Sequence, residues 1–104
     1  MNGTEKQIAW AQDIIRGGVD YLDARIARDN ELGIHGNREI AYRIMRAAYS
    51  NLRDVAPDAA RIIERRGQFS GAQIERDALT YETILNSGKL TANELAAKNG
   101  VTKY

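Results

Sequence analysis

The stretch Thr4-Glu5-Lys6-Gln7-Ile8-Ala9-Trp10-Ala11-Gln12-Asp13-Ile14-Ile15-Arg16-Gly17-Gly18-Val19-Asp20-Tyr21-Leu22-Asp23-Ala24-Arg25-Ile26-Ala27 decides the fold. Thr4 with Gln7 three residues on is a capping box, in which each side chain takes the other residue's free backbone N–H, so a helix starts at about Glu5. Ile8, Ile15 and Leu22 then recur every seven residues with Ala11, Val19 and Ile26 between them. That spacing makes one apolar stripe running to about Ala27. Gly17-Gly18 costs roughly 1 kcal/mol per glycine in a helix interior, yet the stripe keeps its register across the pair. The expectation is one long helix of about 35 Å, or two nearly collinear ones.

Working outward, Asp29 to Gly36 has two glycines and no period and reads as the main loop. Asn37 is expected to cap a second helix, whose apolar arc collects Ile40, Ala41, Ile44, Met45, Ala48, Leu52 and Val55. Pro57 should stop that helix and can open the next, a short one around Ala60, Ile62 and Ile63 that ends at Arg65, Arg66 and Gly67. Ser70 with Gln73 forms another capping box, Ile74, Ala78, Tyr81 and Leu85 share a face, and Gly88 closes a fourth helix. Thr91 with Glu94 repeats the device before a fifth, from Leu95 to Gly100. No four-residue run alternates with period two, so the class is all-α: a single domain over residues 1–104, a compact bundle of about five helices with a long N-terminal one.

The composition fits one globular domain: 104 residues, 43 % apolar and 28 % charged. The absence of cysteine excludes disulfides, thiolate metal sites and a cysteine nucleophile, and a lone histidine excludes a multi-histidine metal centre within one chain. No metal and no cofactor are expected. With no long apolar run and no apolar segment behind Met1, neither a membrane span nor a secretory leader is expected, and the chain reads as cytoplasmic.

Charge sums to +1 but is uneven, since residues 37–66 hold seven basic and four acidic side chains against four and six in residues 1–36. Eleven of the fifteen cations are arginine, whose planar fork suits carboxylate and phosphate. Arg43, Arg46, Ser50 and Arg53 recur at spacings of three, four and three, which places them on one helix face bordered by Tyr42 and Tyr49. Arg61, Arg65 and Arg66 could extend it. Such a face is either solvated and laced with weak ion pairs to Glu39, Asp54, Asp58 and Glu64, or a binding surface for an acidic protein or a nucleic acid. A second line on the first helix, Trp10, Ile14, Gly17 and Tyr21, lies opposite the core stripe. It is either covered by the rest of the chain or is a self-association face, with two antiparallel copies crossing near Gly17-Gly18.

Catalytic constellations are weak. His35 sits between Ile34 and Gly36 as a turn residue, or as a general base if an acid oriented it. Ser50, Ser70 and Ser87 lack a nucleophile elbow, and Glu75, Asp77 and Glu82 read as a solvated helical face. An enzyme is not expected.

Gly3 to Ala11 resembles a short N-terminal segment of small bacterial, phage and mobile-element proteins, some linked to DNA handling. Leu90 to Thr102 resembles the first helix and turn of a helix-turn-helix unit, which reads DNA with its next helix, a helix not found before Tyr104. The first resemblance implies occlusion of a host protein, by analogy a nucleic-acid-targeting defence complex such as a CRISPR effector. The expectation is a non-catalytic interaction protein with a protein partner and, on the self-association reading of the first helix, a second copy of itself. The alternative is a DNA- or RNA-binding accessory protein using the Arg/Tyr face.

Overall fold

The computed structural model describes residues 1–55 and 58–104, with side chains at all of these but 54 and 55. The expected helix stop at Pro57, and the roles given to Val55 and Asp54, lie outside the described side chains and residues. The described elements are α1 (Glu5–Glu31), α2 (Asn37–Val55), α3 (Ala59–Glu64), a 3-10 turn (Arg66–Phe69), α4 (Gly71–Ser87) and α5 (Ala92–Lys98). There is no strand among the described residues, so the chain is an all-α bundle. None of the described helices is long and apolar enough to cross a membrane.

The capping box at Thr4 is made in both directions, at 3.1 Å into the Thr4 hydroxyl and 3.0 Å into the Gln7 amide oxygen. From it α1 runs unbroken through Gly17-Gly18 for 27 residues, about 40 Å, and sets the 42 Å long axis of the molecule. Its stripe is the core: Ala11, Ile15, Val19, Leu22 and Ile26 are all buried.

Where α1 ends, the expectation needs correcting. The helix continues to Glu31, past the polar residues assigned to a loop, and Asp29, three residues beyond Ile26 along the stripe, is itself buried. The turn comes only at Gly33, whose φ of +68° a side chain would strain, and the Ile34 N–H closes it on the Asp29 carbonyl at 2.8 Å.

α2 is the central helix, packing on α1, α4 and α5. Asn37 does not cap it. It is the first helical residue, and its side-chain amide donates to Asn86 on α4 at 2.7 Å. Three neighbours demand a buried arc wider than the apolar residues of α2 supply, and Tyr42 and Tyr49 complete it, 0 % and 5 % exposed.

α3 and the 3-10 turn lie against α1, with Ala59, Ile62 and Phe69 closing the main core. The Ala59 N–H reaches back to the Asn2 carbonyl at 2.8 Å. At the start of α4, the Ser70 half of the expected box forms at 3.3 Å, but the Gln73 side chain turns to Asp77 instead of returning. Gly88 ends α4 at φ +74°. The box at Thr91 is complete, and α5 seats Leu95, Ala96 and the following Val101 in a second cluster around Ile44 of α2. Gly100 turns the chain at φ +70° so that the Val101 N–H meets the Ala96 carbonyl at 2.9 Å.

Candidate interaction surface

On α2 the arginines remain at the surface and the tyrosines do not. Arg43 and Arg46 keep 42 % of their side-chain surface. Arg43 forks onto Glu39 through Nε and Nη2 at 3.2 and 2.8 Å, and the other oxygen of that carboxylate takes His35 Nδ1 at 2.9 Å. His35 first, then Arg43, hold the Glu39 carboxyl below the usual carboxylate range. Arg46 Nε bonds Asp23 on α1. Arg53, exposed, donates to Ser50 at 3.4 Å.

The stacking rings expected beside this stripe are absent from it, a correction that follows from the central place of α2. Tyr42 turns inward, and its hydroxyl lies 3.1 Å from Glu75 Oε1 and donates to Oε2 at 2.8 Å. Tyr49 packs on Phe69 with ring centroids 4.8 Å apart and gives its hydroxyl hydrogen to the Gln68 carbonyl at 3.3 Å. Burial pushes its phenol up.

What the fold brings to Arg43 and Arg46 is the far end of the chain. A cleft of about 370 Å³ is lined by Asp23 and Ile26 of α1, Arg43, Arg46 and Ala47 of α2, and Lys103 and Tyr104. Three cations and one carboxylate make its wall formally +2, and Ile26, Ala47 and the 41 % exposed Tyr104 give it apolar area. Lys103 and Tyr104 carry no local signal pointing to Arg46; only the docking of α5 on α2 places them there.

The other predicted cations sit elsewhere. Arg61 and Arg65 rim a cavity of about 250 Å³ with a floor of Leu52, Ile62 and Phe69. Arg66 lays its guanidinium 5.8 Å from the ring centre of Trp10.

The second line of α1 is divided in the same way. Ile14 and Tyr21 pack against the main core. Tyr21 also donates to Glu75 at 2.9 Å, and a Cβ on Gly71 would come within 2.8 Å of its ring. Trp10 stays 50 % exposed, and Gly17 faces open space. The close approach lies one residue away, at Gly18, where a Cβ would meet Tyr49 at 3.1 Å and Phe69 at 3.2 Å. Gly18 alone of the pair admits the chain's own aromatics.

Sequence reading missed the polar knot behind this surface. Glu75 collects both phenols, with Arg25 and Arg38 each at 3.5 Å, and Glu82 takes Arg38 through Nε and Nη2 at 3.2 and 2.9 Å. The face of α4 expected to be solvated is thus a seam against α1 and α2. The seven-residue spacing of Glu75 and Glu82, one residue beyond the apolar line through Ile74, was the available signal. His35 keeps 63 % of its side-chain surface, and Glu39 is its described hydrogen-bond partner. No group of three His, Cys, Asp or Glu able to hold a metal occurs among the described residues.

No family description, curated protein or solved structure matches the chain.

Proposed function

We propose that the chain is a non-catalytic binding protein that engages an acidic segment of a partner protein in the cleft of Arg43, Arg46 and Lys103. The observation that carries this reading is the make-up of the cleft: a wall of net charge +2 interrupted by Ile26, Ala47 and the Tyr104 ring. Carboxylate side chains answer the cations, and the apolar remainder of a peptide answers the rest. Arginine and tyrosine are also the residue types on which protein interfaces concentrate their energy. A single nucleic-acid strand asks instead for a continuous basic track with rings in series, and burial of Tyr42 and Tyr49 leaves the stripe without them. Taken with the phage-like N-terminal segment, the reading extends to occlusion of a host complex, a nucleic-acid-targeting defence complex being the natural object.

Affinity capture from host lysate tests it, with nuclease treatment as one arm and an Arg43→Ala, Arg46→Ala variant as the other. The expected result is a defined protein retained after nuclease and lost with the variant. Loss of the captured material on nuclease treatment would replace this reading with nucleic-acid binding, and equal capture by the variant would remove the cleft from either.

A further inference from the structure

A cavity of about 220 Å³ lies between α2, α4 and α5, away from the arginine cleft. It is lined by the apolar side chains of Met45, Ala48 and Leu52 together with Tyr49, Gln68, Asp77, Tyr81 and Asn99. Among the described residues no cation stands on its wall, unlike the cleft at Arg46 and the cavity at Arg61 and Arg65, and their formal charge there is that of Asp77. Asp77 forms no ion pair among the described residues. One of its oxygens accepts from Gln73 at 3.0 Å, and the other accepts no described hydrogen bond.

The two phenols have already spent their hydrogens. Tyr81 donates to Asn99 at 3.0 Å and Tyr49 to the Gln68 carbonyl at 3.3 Å, so both hydroxyl oxygens are left with accepting capacity. Burial, and after it the nearby Asp77 charge, raise the Tyr49 phenol. Tyr81 is raised by burial as well, with Asp77 adding to the rise and the Asn99 hydrogen bond opposing it. A negative potential therefore reaches both rings, and a cation would offset it.

From a carboxylate, two phenol oxygens and an apolar floor we infer that this cavity binds a primary alkylammonium group. The three N–H donors of an ammonium match Asp77 and the two phenol oxygens, and the alkyl stem suits Met45, Ala48 and Leu52. Drug-sized sites run to roughly 300–1,000 Å³; the smaller volume here limits the ligand to a short chain, a lysine side chain or a small free amine.

The test is a titration of the folded protein with n-butylammonium, followed by the NMR shifts of Tyr81, Asn99 and Asp77. Sodium chloride at equal ionic strength and n-butanol serve as controls. Saturable shifts at those residues are expected, about tenfold weaker in Asp77→Asn, which keeps the acceptor for Gln73, and unchanged in Asp13→Asn. Ala48→Leu, which fills the floor, should abolish them. A blocked lysine amide that binds as well as butylammonium assigns the site to a lysine side chain of a peptide; binding of the free amine alone assigns it to a small amine. Absence of saturable shifts, equal affinity in Asp77→Asn, or equal binding of n-butanol overturns the inference.

Discussion

The adjacent glycines of α1 should respond differently to the same substitution, Gly17 with a gain in stability and Gly18 without one. Alanine in a helix interior is favoured over glycine by about 1 kcal/mol. At Gly17 nothing stands within 4 Å of the added Cβ, so Gly17→Ala should collect that gain in full. At Gly18 the same gain is set against Tyr49 at 3.1 Å and Phe69 at 3.2 Å. Those rings cannot retreat separately, since they pack on each other at 4.8 Å, are 5 % and 6 % exposed, and Tyr49 is tethered to the Gln68 carbonyl. Overpacking of this kind costs about 1–3 kcal/mol, which leaves Gly18→Ala between neutral and about 2 kcal/mol destabilised. The two variants should thus differ by about 1–3 kcal/mol, or by at least about 4 °C in midpoint for a domain of this size. Thermal and urea denaturation followed by helical circular dichroism measures the difference. A Gly18→Ala chain as stabilised as Gly17→Ala would refute the reasoning, because it would mean that the aromatic pair is not seated on the helix there.

Three further outcomes are expected. Glu75→Leu should destabilise by about 1–3 kcal/mol by stranding the fully buried Tyr42 hydroxyl, and Tyr42→Phe in that background should restore part of the loss; unchanged urea midpoints would contradict this. Glu39, with its folded pKa held down by His35 and Arg43, contributes stability above the unfolded value near 4.5 that disappears as pH falls through the lower folded value. Glu39→Gln should therefore flatten the acid side of a midpoint-against-pH curve and leave its shape near neutrality, and an acid side as steep as wild type would count against the assignment. Light scattering should give a monomer: a two-fold antiparallel crossing at Gly17 sets Asp13 of one copy opposite Tyr21 of the other and Asp20 opposite Ile14, so four carboxylates crowd the contact, whereas a dimer dissolved by Trp10→Ala would restore self-association through α1.

Much of the fold was readable because its signals are local. The boxes at Thr4 and Thr91 are decided within four residues, and both form. The α1 stripe is a pure periodicity, and its members from Ala11 to Ile26 are buried as the spacing requires. The failures share a different cause. Asn37 and Glu75 each have a local use that sequence favours, cap or solvated face, and each is taken by partners from other helices, Asn86 and the Tyr21–Tyr42 pair; Gln73 leaves its box for Asp77, one turn further along the same helix. Tyrosine was the hardest to place, since one ring serves equally as an exposed stacking platform or as core with a tethered hydroxyl. The choice at Tyr42 and Tyr49 depends on how many helices surround α2, which no spacing within α2 reveals.

The same distinction bears on the arginine cleft. Arg43 and Arg46 both have carboxylate partners, which at first reduces the charge they can offer. Yet Arg46 and Asp23 keep 42 % and 47 % of their side-chain surface, and an ion pair in such exposure is worth about 0–1 kcal/mol. Exchanging the Asp23 carboxylate for one carried by a partner therefore costs little. Asp23 then acts as a placeholder for an acidic group of the partner. On this account Asp23→Ala, which frees Arg46 without moving it onto a new acid, should strengthen binding of an acidic peptide two- to fivefold, on the order of the pair's own worth. Weaker binding in that variant would mean that Asp23 positions Arg46 rather than competes for it.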